Sequence, residues 1–181
     1  VGLHSKYYLD SGTFGCLGVG VPYAIAASKV FKEKKIICVT GDGSFGFNAM
    51  EIDTAVKNNS NICVIISNNG GWNIEKHDQR LNYGNRVYAT SLANSDYAAL
   101  AKSLGAYGVR VEDPEKLEQA LSEALKNTPS VVDIITSSTI LSSDAIKGLG
   151  FVPKYQALDV WDDMEIELSL IHISEPTRPV M

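Results

Sequence analysis

The sequence has few of the residues that mark several common protein classes. Its three cysteines, Cys16, Cys38 and Cys63, form no CxxC pair, so we expect neither a disulfide scaffold nor a zinc site. Unpaired thiols favour a reducing, cytoplasmic location. The net charge of −5 is spread along the chain without a basic stripe, and apolar runs such as residues 62–66 are too short to cross a membrane. We therefore expect neither a nucleic-acid partner nor a membrane partner.

The length and the two ends of the chain suggest one domain that is not complete. The 181 residues, of which 45% are hydrophobic and 20% charged, suit a single globular domain. The chain has no initiator methionine and opens in sequence typical of the inside of a domain. Residues 168–178 match the in-frame translation of a transposon adapter used in DNA-sequencing libraries, and a natural β-rich tail is the alternative. We expect residues 1–163 to form one domain that lacks its beginning. Residues 164–181 are then a non-native tail, with the adapter starting at Leu168 and no role for His172.

Short apolar segments alternate with helical patterns along the chain. Segments typical of buried parallel strands are residues 35–40, 61–67, 108–111 and 131–136. Helical patterns are residues 22–31, the stripe Phe45, Ala49, Ile52 and Val56, a segment from a cap at Ser95 to Gly105, and one starting at Asp113. Residues 69–90 are predicted as a loop with at most a short helix, and residues 137–163 show no clear pattern. The alternation predicts an α/β fold, a parallel sheet with helices on both faces in a Rossmann-like three-layer arrangement.

Two unusual motifs directly follow two of the predicted strands. GDGS at residues 41–44 lies between the first strand and a helix, and NNGG at residues 68–71 follows the second strand. Ligands of an open parallel sheet bind beyond the carboxyl ends of its strands, so both motifs belong to one candidate site. The N–H groups of a helix N-terminus suit a phosphate, and Gly41 and Gly43 allow the backbone to approach a diphosphate closely.

The same motifs carry oxygen ligands for a divalent cation. Asp42 offers a carboxylate, Asn69 offers a neutral side-chain oxygen, and the turn at residues 70–71 offers a backbone carbonyl. Mg²⁺ typically takes one or two protein carboxylates together with phosphate oxygens and water. Either motif alone could be an ordinary turn. The pair, with each motif at the end of a buried strand, predicts a metal–diphosphate site.

The spacing of these motifs resembles the signature of thiamine diphosphate (ThDP) enzymes, in which GDG is followed at this distance by NN. The string LDSGTFGCLGVGVPYAIAA at residues 9–27 is similar to the segment that precedes the cofactor motif in the acetolactate synthase superfamily. The resemblance covers about residues 5–136 and implies the C-terminal, diphosphate-binding (PP) domain of those enzymes. The strings LDSGTFG, GVGVPYAIAA and GDGSFGFNAMEIDT look closest to oxalyl-CoA decarboxylases and 2-hydroxyacyl-CoA lyases.

The resemblance implies a role in cofactor binding for each matching position. These positions are Gly15, Leu17, Gly41, Asp42, Gly43, Ser44, Asn69, Gly71 and Ile74. Asp42, the Asn69 side chain and the Gly71 carbonyl would bind Mg²⁺. Gly43 and Ser44 would hold the diphosphate through N–H and hydroxyl groups.

The resemblance also implies contacts on the thiamine side of the cofactor. The Gly15 carbonyl would accept a hydrogen bond from the aminopyrimidine 4′-amino group. Leu17 would be the apolar wedge that holds ThDP bent, with core packing as its alternative. Ile74 and Glu75 match an Ile-Glu pair that lines the site in pyruvate decarboxylase-like enzymes. Glu75 is therefore the candidate catalytic residue, and a solvated surface carboxylate is its alternative. His77 lies near the same loop and is assigned no role.

The reaction and the partners follow from the same resemblance. Such enzymes are lyases, decarboxylases or carboligases that act on C–C bonds of 2-oxo acids or 2-hydroxyacyl-CoA substrates, and acetolactate synthase-like and benzoylformate decarboxylase-like activities are both open. Their proton relay starts from a glutamate on a separate pyrimidine-binding (PYR) domain, normally reached across a subunit interface, and no segment here resembles that domain. We therefore expect a homodimer or homotetramer whose second subunit supplies the glutamate, and no turnover by this chain alone.

Two alternatives come from other functional classes. The chain could be a stand-alone PP subunit of a split ThDP decarboxylase, which would pair with a separate PYR-domain chain. It could also be a non-enzymatic nucleotide-binding domain of Rossmann type. Mg²⁺-dependent ThDP binding separates the ThDP alternatives from the dinucleotide alternative, which predicts NAD binding.

Overall fold

Four strands form one parallel sheet in the computed structural model of the chain, which describes residues 8–141 and residue 143. The strands are β1 (Ile36–Gly41), β2 (Ile62–Asn68), β3 (Tyr107–Val111) and β4 (Ser130–Ile135). They lie side by side in the order β1-β2-β4-β3, and every neighbouring pair is parallel. Each strand begins and ends within one residue of the predicted bounds, so the four strand predictions are confirmed.

Helices and short turns connect these strands. The α-helices of the described residues are α1 (Gly20–Val30), α2 (Asp42–Phe47), α3 (Glu51–Lys57), α4 (Asn73–Asn82), α5 (Tyr97–Ser103) and α6 (Leu117–Lys126). Two 3₁₀ turns, Gly12–Phe14 and Pro114–Lys116, precede α1 and α6. Within the same residues, no helix combines the length and the apolar character that a membrane crossing requires.

Alternate side chains of each strand pack on opposite faces of the sheet, as the two-residue period of a strand requires. On one face, residues of α1, α3 and α5 pack against Val64 and Ile66 of β2. On the other face, α6 packs against Cys63 of β2 and Val132 of β4. Helices therefore cover both faces, which confirms the predicted three-layer α/β fold.

Two details of the predicted helices are wrong. The helix predicted along the stripe from Phe45 to Val56 is split into α2 and α3, although the stripe itself packs into the core. The split occurs at Asn48, whose backbone leaves the helical region and whose side-chain amide donates to the Gly18 carbonyl at 2.9 Å. The cap of α5 is Asp96 rather than Ser95, because the Asp96 carboxylate accepts the N–H of Ala99 at 2.8 Å.

The segment predicted as a loop at residues 69–90 contains the ten-residue helix α4. The predictions for residues 142 and 144–163, the proposed domain end at residue 163, the tail from Leu168 and His172 all lie outside the described residues.

Candidate functional site

The carboxyl ends of β1 and β2 bring the two predicted motifs together. Because β1 and β2 are neighbours in parallel register, with Gly41 opposite Ser67, the residues that follow them meet at one edge of the sheet. Asp42 is the first residue of α2 and is only 3% exposed. Its Oδ2 accepts a hydrogen bond from the backbone N–H of Gly71 at 3.1 Å. The structure thus joins the GDG motif directly to the turn after β2.

Asn69 has an unsatisfied oxygen at this edge. Its side-chain Oδ1 is buried and accepts no hydrogen bond from the residues that the structure describes. A buried acceptor without a donor costs about 1–3 kcal/mol, so native proteins rarely retain one without a reason. A cation is a suitable partner for such an oxygen, because a cation binds amide oxygens directly.

Gly71 is held in a tight backbone environment. A Cβ at this position would lie 2.7 Å from the carbonyl oxygen of Thr90. Two hydrogen bonds fix that strand-like contact, from Trp72 N–H to Thr90 O at 2.8 Å and from Leu92 N–H to Gly70 O at 2.9 Å. The turn that carries Asn69 and Gly71 is therefore anchored on its far side.

The donor set at this edge fits Mg²⁺. It consists of the Asp42 carboxylate, the unsatisfied Asn69 amide oxygen and the backbone of Gly71, all of them hard oxygen ligands. Among the described residues, no group of three or more His, Cys, Asp or Glu side chains is placed to hold a metal ion. A metal at this edge would therefore depend on amide and carbonyl oxygens beside the single carboxylate.

The two glycines of the GDG motif have different surroundings. A Cβ on Gly41 would meet no atom within 4 Å, so a ligand has room to approach its backbone. A Cβ on Gly43 would lie 2.6 Å from the indole ring of Trp72, which packs over the first turn of α2. The absence of a side chain at Gly43 is thus already required by packing. Since α2 has only six residues, its dipole contributes less to phosphate binding than the long predicted helix would have done.

Ser44 and Asn48 fasten the preceding segment of the chain to α2. The N–H of Gly18 donates to Ser44 Oγ at 3.0 Å, and the Gly18 carbonyl accepts from Asn48 Nδ2 at 2.9 Å. Gly18 has a φ of 83° and lies so close to Phe47 that an added Cβ would be 2.6 Å from it. Ser44 uses its oxygen as an acceptor here, so its hydroxyl hydrogen can still be donated to a ligand.

Comparison with known proteins identifies the family of the chain. A family model described as "Thiamine pyrophosphate enzyme, C-terminal TPP binding domain" matches residues 3–134. The chain belongs to this family. Thiamine pyrophosphate is ThDP under another name, so the predicted family and the predicted organic cofactor are confirmed.

Relatives of two kinds match the ThDP-binding domain. It is 39% identical to the acetolactate synthase large subunit IlvG of Mycobacterium tuberculosis over 134 residues, which are 74% of this chain and 24% of the relative. It is 34% identical to 2-hydroxyacyl-CoA lyase 1 of Homo sapiens over 144 residues, covering 72% of this chain and 25% of the relative. It is 36% identical to the acetolactate synthase of Bacillus subtilis over 147 residues, with 78% and 26% covered. The chain spans about a quarter of the length of these relatives.

The predicted thiamine-side residues lie in the segment before α1. Gly15 ends the 3₁₀ turn Gly12–Phe14 with a φ of 58°, and its N–H donates to Gly12 O at 3.1 Å. Leu17 is 51% exposed, and the neighbouring Phe14 is also exposed. The half-exposed Leu17 side chain is therefore not packed in the core of this domain, which was the alternative for this residue.

Ile74 and Glu75 lie in the first turn of α4. Both are exposed, and Ile74 lines an open cleft of about 400 Å³ together with Asn69 and Asn73. Glu75 does not line this cleft. His77 is buried, and its Nε2 has no hydrogen-bond partner within residues 8–141. Burial lowers the pKa of His77, with further lowering from Arg80 and Lys76. The structure therefore places Ile74 beside Asn69 but leaves the role predicted for Glu75 without a supporting contact.

Sequence reasoning missed three residues that shape the candidate site. Gly18 and Asn48 hold the segment before α1 against α2, and Trp72 covers Gly43. The glycine spacing of residues 18–20 was a usable signal for the first, because a glycine with positive φ often marks a close backbone approach. Nothing in local periodicity singles out Asn48 or Trp72.

Proposed function

We propose that this chain is the Mg²⁺- and diphosphate-binding half of a ThDP enzyme active site. The observation that carries the proposal is the buried, unpartnered Oδ1 of Asn69, next to a turn hydrogen-bonded to the Asp42 carboxylate. An amide oxygen in that state is suited to a cation. In this proposal Asp42, Asn69 and the Gly71 carbonyl hold the ion, and the ion holds the cofactor diphosphate.

The remaining residues hold the organic cofactor. Gly41 leaves its backbone open to the diphosphate, Gly43 offers an N–H group, and Ser44 donates its hydroxyl hydrogen. Gly15 and Leu17 contact the thiamine end, with the Leu17 side chain available because it is half exposed. Ile74 borders the substrate, and Glu75 is retained as the candidate acid or base of this chain.

Bound ThDP supplies the nucleophile and the electron sink for the reaction. The proposed activity is C–C bond cleavage or formation on 2-oxo acid or 2-hydroxyacyl-CoA substrates, since relatives named for both kinds of chemistry match the chain. We propose that this chain is part of a longer protein that forms a homodimer or homotetramer, in which a PYR domain of a second subunit supplies the activating glutamate. The chain alone is then expected to bind the cofactor without turning over substrate.

The extent of the domain and its location complete the proposal. We propose that the domain ends near residue 163, that the tail from residue 164 is not native, and that the protein is cytoplasmic, as its free thiols suggest. A chain shortened after residue 163 should keep the melting temperature and ThDP affinity of the 181-residue chain. A loss of either would show that the tail belongs to the domain.

Calorimetric titration with ThDP tests the function. We expect binding in the presence of Mg²⁺ and its loss in EDTA, with no binding of NAD. Asp42→Ala and Asn69→Ala should each remove the Mg²⁺-dependent binding while the circular dichroism spectrum stays native. Asp53→Ala removes an exposed carboxylate from α3 and serves as the matched control, which should bind as the parent does. ThDP affinity that is unchanged in Asp42→Ala would refute the metal assignment.

A further inference from the structure

A buried polar network lies on the side of β2 opposite β1. Its centre is Asp133 of β4, which is fully buried. Asp133 Oδ1 accepts from Asn68 Nδ2 at 2.9 Å, and Oδ2 accepts from the N–H of Tyr97 at 3.1 Å and from Arg110 Nη1 at 3.3 Å. Burial, with a smaller effect from Asp96, raises the pKa of the Asp133 carboxyl above its ordinary value, and these three donors offset only part of that rise. Both oxygens of this carboxylate are thus occupied by donors from three different elements or loops.

Asn68, the first asparagine of the NN pair, connects this network to the metal-binding turn. Its Nδ2 donates both to Asp133 and to the Ser95 carbonyl at 3.2 Å, and its Oδ1 accepts the N–H of Gly70 at 3.3 Å. Its backbone carbonyl accepts from the N–H of Thr136 at 2.8 Å. Because two acceptors face Nδ2, the amide can have only one orientation, and that orientation directs Oδ1 to the turn.

We infer that Asp133 is a positioning residue for the metal-binding turn, acting through Asn68 to fix the conformation in which Asn69 and Gly71 face Asp42. The inference rests on the proposed function, because it concerns the same ion. It gives the two asparagines of the NN pair different tasks: Asn69 is the ligand, and Asn68 is the clamp that Asp133 orients. Partners that orient metal ligands typically change metal affinity by about 10- to 100-fold when they are removed.

The carboxylate of Asp133 cannot be replaced by an amide of the same shape. Asp133 faces donors on both sides, from Asn68 and from Tyr97 and Arg110. In Asp133→Asn, the new NH₂ group meets a donor in either of its two orientations. The NH₂ group then faces another hydrogen-bond donor instead of an acceptor, and that hydrogen bond is lost. We therefore expect the Asn68 amide to lose its fixed orientation.

Two readouts test the inference in the 181-residue chain. The first is amide hydrogen exchange at Gly70 and Gly71, measured by NMR without cofactor. The second is the Mg²⁺ concentration that half-saturates ThDP binding. For Asp133→Asn we expect faster exchange at these two amides and a half-saturating Mg²⁺ concentration raised about tenfold or more. The reciprocal variant Asn68→Asp/Asp133→Asn restores a donor–acceptor pair between the two positions, so it should recover part of both losses.

Ser130→Ala is the matched control. Ser130 lies on the same strand and donates from a buried hydroxyl to the Ala124 carbonyl at 2.7 Å. It is paired with Cys63, whereas the turn follows Asn68 at the opposite end of β2. This variant should lower the melting temperature while leaving turn protection and Mg²⁺ dependence unchanged. Unchanged protection of Gly70 and Gly71 in Asp133→Asn would overturn the inference, as would an effect of Ser130→Ala equal to that of Asp133→Asn. If the parent chain shows no Mg²⁺-dependent ThDP binding, the proposed function is refuted. The hydrogen-exchange measurement would still test whether Asp133 positions the turn through Asn68.

Discussion

The backbone N–H of Gly71 donates to Oδ2 of Asp42 across 3.1 Å, and this bond joins the two halves of the cofactor motif. The residues are 29 positions apart in the chain and meet because β1 and β2 are adjacent parallel strands. The bond fixes the turn and the carboxylate relative to each other, in the arrangement that the proposed ion would use. Preorganisation of this kind lowers the cost of binding, because the ligands lose little conformational freedom when the ion arrives.

The close contact at Gly71 leads to a first prediction. Gly71→Ala places a Cβ 2.7 Å from the Thr90 carbonyl, which cannot move without breaking its bond to Trp72. We expect a loss of about 1–3 kcal/mol in the free energy of unfolding and weaker Mg²⁺-dependent ThDP binding. Gly41→Ala is the matched variant, since Gly41 has extended backbone angles and open space around it. Urea unfolding should leave its stability near that of the parent, and equal losses in the two variants would contradict the geometry.

The packing of Trp72 over Gly43 leads to a second prediction. Gly43→Ala drives a methyl group to 2.6 Å from the indole ring and should destabilise the chain by about 1–3 kcal/mol. Trp72→Leu removes the ring, so the double variant Gly43→Ala/Trp72→Leu should be more stable than the sum of the single changes predicts. A double-mutant cycle of unfolding free energies measures this coupling. Additive effects would mean that the two residues do not compete for the same space.

The three thiols differ in accessibility, which gives a third prediction. Burial raises the pKa of Cys38 to about 11 and also raises the pKa of Cys63, whereas Cys16 is exposed between Gly15 and Leu17. A thiol reagent at mildly alkaline pH should modify Cys16 in the folded chain and all three thiols after unfolding. ThDP with Mg²⁺ should slow the reaction of Cys16, because its neighbours are the proposed thiamine contacts. A fast reaction that persists in Cys16→Ser would show that another thiol is accessible.

The strands could be predicted from the sequence because their signal is local. Residues 61–67 are nearly all apolar, and the strand found there, Ile62–Asn68, is buried on both faces of the sheet. The motif positions follow from the strands, since a residue directly after a parallel strand must lie at the carboxyl edge. The glycine spacing was less informative: GDGSFG at residues 41–46 also fits the dinucleotide pattern GxGxxG, whereas the later NN pair and the string at residues 9–27 favour ThDP.

The rest of the site depends on contacts between distant residues. The break after α2 occurs where Asn48 reaches Gly18, 30 positions away, and no local pattern encodes that bond. The region of helix α4 was predicted as a loop that could include a short helix, because His77 is the single buried residue of α4 and no apolar stripe marks the helix. The hydrogen bond between Asn68 and Asp133 joins residues 65 positions apart. One belongs to the NN motif and the other lies within a predicted strand, so no local pattern connects them.

The buried imidazole of His77 leads to a pH prediction. Burial lowers its pKa below the ordinary value of 6.5, and the cations Arg80 and Lys76 lower it further. The unfolded chain therefore binds a proton at His77 more readily than the folded chain does. The contribution of His77 to the free energy of unfolding is therefore fully present above about pH 6.5. It decreases as the pH falls from 6.5 towards the pKa of His77 in the folded chain.

His77→Gln isolates this contribution, because His4 and His172 are still present in the variant. Urea unfolding measured between about pH 5.5 and pH 7.5, where the ordinary carboxylates do not titrate, should give a flatter pH dependence for His77→Gln than for the parent. The unfolding free energy of the parent minus that of the variant should decrease as the pH falls, because proton uptake by the unfolded chain at His77 destabilises only the parent. Parallel curves would mean that His77 has the same pKa in the folded and unfolded chains, and its burial in α4 would then carry no cost in acid.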